Sequence, residues 1–216
     1  MSAARSAPFA SAGADRHTGR VTMWLTGDPQ ADQLLASDDL ALLIGMVLDQ
    51  QVPMEKAFAG PAVLLERLGG RLDARTIAAM AEEEFVAVCA QRPAVHRFPG
   101  SMAKRVQQVC QVVVSDYDGN AADLWRQAST GAELKARLTA LPGFGEQKAS
   151  IFVALLAKQR GFRPTGWAEA AGPYGDPGCF RSVADVVDEE SLAKVRQTKR
   201  AAKAAARAAA PSGTEG

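Results

Sequence analysis

One short segment constrains this chain more than any other. Residues Leu134 to Ala149 read as a helix, a tight turn and a second helix, with the turn spelled Leu141-Pro142-Gly143-Phe144-Gly145. Gly143 and Gly145 permit backbone conformations and close approaches that a side chain would block. The amides from Gly143 to Gln147 fall at the start of the second helix, where they have no partner inside it. Free donors at the positive end of a helix dipole suit a phosphate oxygen. Phe144, between the glycines, is expected to pack inward and fix the turn. An ordinary helix-helix connection also uses Pro-Gly, but the full pattern between two amphipathic helices is far more specific.

The remaining periodicity is helical throughout, and no strand-turn-strand pattern stands out. Asp28-Pro29 pairs a capping acceptor with Pro at the first helical position. Asp38-Asp39 opens a helix that is apolar on nearly all sides from Leu40 to Leu48, which implies a central, buried position. It ends in the polar cluster Asp49-Gln50-Gln51. Pro53 should start a helix over Met54 to Ala59, and further patterns cover 62–68, 74–80, 82–91, 102–116, 121–128, 132–141 and 146–160. Thr130 with Glu133 has capping-box spacing. Residues 161–180, rich in Gly and Pro but carrying Trp167, Tyr174 and Phe180, read as a long ordered loop. The expected organisation is a disordered leader over 1–20, a helical domain over 21–187 with the hairpin at 132–160, a basic helix over 188–209 and a disordered end over 210–216. The short apolar stretch Val21 to Leu25 is a strand or a segment lying on the core.

A chain of 216 residues with 47% hydrophobic content can bury one sizeable core or two small lobes sharing a cleft. The formal net charge of +1 lends no support to nucleic-acid binding, which needs only a local basic patch. The three cysteines, Cys89, Cys110 and Cys179, form no CxxC pair, so a disulfide scaffold or structural zinc site is not expected and a reduced, cytoplasmic setting fits. No apolar run reaches the length of a membrane span.

Leu141-Pro142-Gly143-Phe144-Gly145-x-x-Lys148-Ala149 resembles the hairpin of the base-excision DNA glycosylase superfamily of helix-hairpin-helix (HhH-GPD) type. Leu42 to Val52, running into Gln50-Gln51, resembles the family's early helix and its Gln element. Met102-Ala103-Lys104-Arg105-Val106 resembles a later helix carrying basic residues. The three matches follow the family's order and span about Asp39 to Leu156.

The resemblance implies an all-α, two-lobed fold with a cleft between lobes, acting on double-stranded DNA as a monomer. Such proteins flip a damaged or mispaired base from the duplex and cleave its glycosidic bond. Gly143, Phe144 and Gly145, with Gln147 and Lys148, would hold a phosphate; Lys104 and Arg105 would add basic contacts; Gln51, with Gln50, would fill the gap in the stack. The sequence also departs from the family. Bifunctional members carry a nucleophilic Lys two places after the second hairpin glycine, where Gln147 stands here. Lys148 lies one residue on, and one helical step turns a side chain by about 100°, so Lys148 is not expected to point as the family's Lys does. A monofunctional enzyme, which uses water, does not need that Lys. The stretch that corresponds to the family's Val-Asp element, Arg163 to Glu169, contains no Val-Asp. Glu169 and Asp176 are the candidate replacements, with Asp185 further along; each is otherwise a solvated loop carboxylate. Met46 stands where adenine-mismatch members place a Glu, and three scattered cysteines cannot supply the four ligands of an iron-sulfur cluster, so no cofactor is expected.

His96, in a Pro-rich turn, reads as a surface loop histidine rather than a general base. The cations between Lys194 and Arg207 could lie along DNA or form a solvated face. Trp167 and Tyr174 could stack on a flipped base or anchor their loop. Three functions are consistent with these readings: a monofunctional DNA N-glycosylase, a non-catalytic module that recognises distorted duplex, and a helical protein-interaction domain.

Overall fold

The computed structural model describes residues 23–209, so the expected leader over 1–20 and end over 210–216 lie outside the described residues. Eleven α-helices are present among those described: α1 Pro29–Ser37, α2 Asp39–Leu48, α3 Met54–Arg67, α4 Ala74–Ala79, α5 Glu82–Ala90, α6 Pro99–Tyr117, α7 Asp123–Arg126, α8 Gly131–Thr139, α9 Glu146–Gln159, α10 Trp167–Ala171 and α11 Glu189–Ala209. Two 3-10 turns, Gly172–Tyr174 and Val183–Asp185, complete the set.

Local chemistry sets most of the helix starts. The side chains of Asp28, Asp38, Asp73 and Thr130 each accept an amide from the first turn they precede, which removes an orphan donor. Buried Asp32 works at longer range. Its carboxylate accepts the amides of Leu25 and Thr26, which pins Met23 to Leu25 against the core in a non-strand conformation. Two prolines behave differently from expectation. Pro61 does not separate the patterns at 54–59 and 62–68 but lies buried inside α3, and Pro99 opens α6 three residues before the expected start of the 102–116 pattern. The expected long loop after α9 folds as well, into α10 and a 3-10 turn.

Helices α4 and α5 pack on α6, while α2 packs on α1, α3 and α6. On the other side α8, α9 and α10 pack on one another, the Val183–Asp185 turn lies on α9, and α11 is rooted on that turn. One continuous apolar core joins the two groups, with every residue of α2 from Leu40 to Leu48 buried. Burial at this depth fixes the polar C-terminal end of α2, Asp49-Gln50-Gln51, opposite the start of α9. Cys89 and Cys110 sit in this core, and burial pushes both thiols up to about 12. Among the described residues no helix is long and apolar enough to cross a membrane.

Candidate nucleic-acid interface and cleft

The hairpin between α8 and α9 is fixed from inside. Leu141 and Phe144 are buried, and the Phe144 ring lies 6.2 Å from that of Phe152. The Phe144 amide donates to Leu141 O at 3.0 Å, so this one amide of the turn is consumed by the fold. Gly143, Gly145, Glu146 and Gln147 are exposed, and their amides have no acceptor among the described residues. Gly143 takes a left-handed conformation, φ +79°, whereas Gly145 is extended at φ −107°. Glu146 brings a negative charge to this donor-rich end, and Lys135 of α8 pairs with it at 2.8 Å.

Two cations tie the hairpin to the end of α2. The Lys148 ammonium donates to Met46 O at 2.9 Å and Val47 O at 3.1 Å, where the final carbonyls of α2 concentrate negative potential. Burial lowers the Lys148 pKa to about 8, with Arg105 adding to the fall and Asp49 opposing it. The Arg105 side chain crosses Gly143, and its guanidinium donates to Gln50 Oε1 at 2.6 Å. The helical step does rotate Lys148 away from Gln147, but its long stem still reaches the cleft beside it.

The Gln pair divides. Gln50 is held at both ends: its amide nitrogen donates to Val47 O at 2.9 Å while Arg105 occupies its oxygen. Gln51 is exposed, in a left-handed conformation at φ 57° that a residue of its type rarely adopts, and its side chain has no partner among the described residues. Such strain, about 1 kcal/mol or more, persists where the surroundings enforce it and is commonest at working sites. His96 is not on the surface. It is buried beneath the pair, with Nδ1 accepting the Phe98 amide and Nε2 lying 2.9 Å from Gln50 O, so Nε2 carries the proton that Gln50 accepts.

Between these parts opens a hollow of about 800 Å³. Its walls come from the end of α2 (Asp49 to Val52), the start of α9 (Gln147, Lys148, Ile151), Tyr174, Arg181 and the outer turns of α11 (Thr198 to Ala202). Gln147 faces it, donating to the Tyr174 hydroxyl at 2.8 Å. Asp49 supplies the carboxylate among its lining residues, and burial raises that group above the ordinary carboxylate range, with Lys199 and Lys148 opposing the rise and Glu55 adding to it.

Other expected residues are elsewhere. Glu169 lies in a second hollow with Thr130, Lys135 and Glu146, because α10 folds onto α8 and α9 instead of looping over the cleft. Asp176 is exposed and lines no part of the cleft; its backbone oxygen accepts from Lys158. Asp185 is a structural acid, buried, paired with Lys158 at 2.7 Å and accepting the Arg181 amide at 2.9 Å. Lys104 is turned toward α5 and paired with Glu82 at 2.8 Å. Trp167 lies against the core, while Tyr174 reaches the cleft. Asp49 and Arg181 emerge only from the three-dimensional arrangement, the one sequence hint for Asp49 being that it adjoins the Gln pair, while Lys199 belongs to the basic helix the sequence offers for DNA and gains its place on the cleft from the fold.

No curated protein and no solved structure matches the chain significantly. A family model described as HhH-GPD superfamily base excision DNA repair protein matches residues 44–210. That span takes in the buried early helix from Ile44 onward, the Gln pair, the hairpin and α11. Most of the chain is covered in a single match, and the hairpin's second helix lines, through Gln147 and Lys148, the cleft that the end of α2 completes: the chain belongs to the HhH-GPD superfamily of base excision DNA repair proteins.

Proposed function

We propose that the protein is a monofunctional DNA N-glycosylase that takes a damaged or mispaired base, flipped from double-stranded DNA, into the cleft. The observation that carries this reading is that a half-buried carboxylate, Asp49, lies in a hollow bounded by the hairpin helix on one side and on the other by the strained Gln51, whose side chain has no partner among the described residues. The free amides of Gly143, Gly145, Glu146 and Gln147 would grip a phosphate, and Gln51 would enter the gap in the stack, where its amide can both donate and accept.

In this reaction the C1′–N bond breaks and its electron pair leaves with the base, so the sugar becomes a cation. The Asp49 carboxylate stabilises that cation and accepts a proton from the attacking water, whose oxygen bonds C1′. The departing base ends with a proton from solvent. Desolvation suits Asp49 to this work, since a raised pKa makes the carboxylate a stronger base. Two features argue against a lyase. Gln147 replaces the family's nucleophile, and Lys148 has two of its three protons committed to Met46 O and Val47 O. The missing nucleophilic Lys and the missing Val-Asp in the stretch from Arg163 to Glu169 favour a second reading, a module that recognises distorted duplex without chemistry.

Duplexes carrying single lesions, incubated with the protein and then treated with alkali, separate these. Strand breaks on at least one duplex, lost about 10²–10⁴-fold in Asp49→Asn with binding retained, are expected for the glycosylase. Binding without breaks on any duplex would support the module. Borohydride should trap no adduct; trapping at Lys148, whose lowered pKa makes it the amine to watch, would overturn the monofunctional assignment.

A further inference from the structure

Resting on the glycosylase reading, we infer that the cleft selects uncharged bases that present carbonyl oxygens, deaminated bases such as hypoxanthine and uracil being the simplest, and rejects cationic N-alkylated bases. The inference comes from charge and donor supply in the hollow. Among the described residues, Lys148, Arg181 and Lys199 line it against the single carboxylate of Asp49. The exposed Arg181 and Lys199 side chains make no ion pair among the described residues. Donors outnumber acceptors as well. The Tyr174 hydroxyl oxygen already accepts from Gln147, so its own proton remains to be donated, and the third proton of Lys148 is uncommitted.

Deamination converts an exocyclic amino donor into a carbonyl acceptor, which is the change this lining favours. The chemistry points the same way. An uncharged base leaves carrying the bond's electron pair as negative charge, which nearby ammonium and guanidinium groups stabilise. A base already cationic leaves neutral and gains nothing from them, while its entry is opposed by like charge. Tyr174 is the only aromatic residue lining the hollow among the described residues, so stacking there offers a cationic base little compensation.

The test uses the full chain and duplexes holding one hypoxanthine, uracil, adenine or 7-methylguanine. Base release is read as enhancement over spontaneous loss, which removes the intrinsic lability of 7-methylguanine. A parallel series with 2′-fluoro sugars, which resist cleavage, reads binding alone. Hypoxanthine or uracil should exceed 7-methylguanine by at least about tenfold in both series. Lys199→Glu, on the exposed face of α11, should narrow that ratio severalfold while Lys199→Arg preserves it. Equal or greater enhancement and affinity for 7-methylguanine would overturn the inference, as would a ratio unmoved by Lys199→Glu. A binding preference for hypoxanthine without any base release would leave the selectivity standing and remove the glycosylase reading. Absence of both release and preference would end both.

Discussion

The two hairpin glycines look equivalent in the sequence, and the structure makes them opposite, so alanine at each should have separable effects. At Gly143 the backbone is left-handed, φ +79°, and a β-carbon would stand 2.9 Å from Arg105 Cδ. The conformation alone costs a non-glycine residue about 1 kcal/mol. Moving Arg105 also disturbs its charge-assisted bond to Gln50 Oε1, a further cost of about 1 kcal/mol when discounted for partial exposure. The sum, about 2 kcal/mol, lowers the midpoint of thermal unfolding by about 4–8 °C in a chain of this size. Gly145 is extended, and nothing lies within 4 Å of its added β-carbon. Gly145→Ala should therefore hold the midpoint within about 2 °C, the shift of an ordinary surface substitution. It places a methyl group on the exposed helix start proposed to hold phosphate, and affinity for an abasic duplex should fall by about fivefold, close to 1 kcal/mol. Paired melting curves and binding isotherms read both quantities. Equal melting shifts in the two variants would refute the assignment of Gly143 as a conformational glycine. An unchanged duplex affinity in Gly145→Ala, with the fold intact, would refute phosphate contact there.

Other substitutions probe the supports of the cleft. Lys158→Met leaves Asp185 buried without its partner and should cost about 3–5 kcal/mol in urea unfolding, much of it recovered in the double variant with Asp185→Asn. Gly131→Ala would set a β-carbon 2.4 Å from Gly166 O and 2.6 Å from Trp167 Cα, both backbone atoms, so about 3 kcal/mol should be lost and α10 displaced from α8, visible as a change in Trp167 fluorescence. The lowered Lys148 pKa has a defined sign. Between about 8 and the ordinary 10.5 the unfolded chain binds a proton that the folded chain has lost, so stability contributed by this group rises with pH across that window. The difference between wild type and Lys148→Met in urea unfolding at pH 7.5, 9 and 10 isolates it, and a difference independent of pH would contradict the burial of this ammonium. Over the same range, excision should decline as pH passes about 8, because Lys148, one of the three cations proposed to stabilise the departing base, loses its charge.

The parts that were legible before any coordinates are those written in neighbouring residues. Asp28, Asp38 and Thr130 cap the helices they precede, and the unbroken apolar surface of α2 implies its burial. The hairpin belongs here too, since its glycines and buried Phe144 act within five residues. What stayed hidden depends on distant chain segments meeting. His96 reads as a loop residue until Gln50 O is found against its ring, and Lys104 and Arg105 look alike until Glu82 takes one and Gln50 the other. Periodicity was also a poor guide to reach. Lys148 turns away from Gln147 by one helical step, yet a four-carbon stem carries its charge to the end of α2. The resemblance implies an acid beyond α9, but α10 folds Glu169 into another hollow, and the half-buried carboxylate in the cleft is Asp49, from the opposite wall. If Asp49 is the group that meets the sugar, the acid and the Gln that enters the stack come from one rigid helix end, two residues apart. Lys148 and Arg105 then set the distance from both to the phosphate grip, and a variant that loosens either cation should degrade positioning as well as folding.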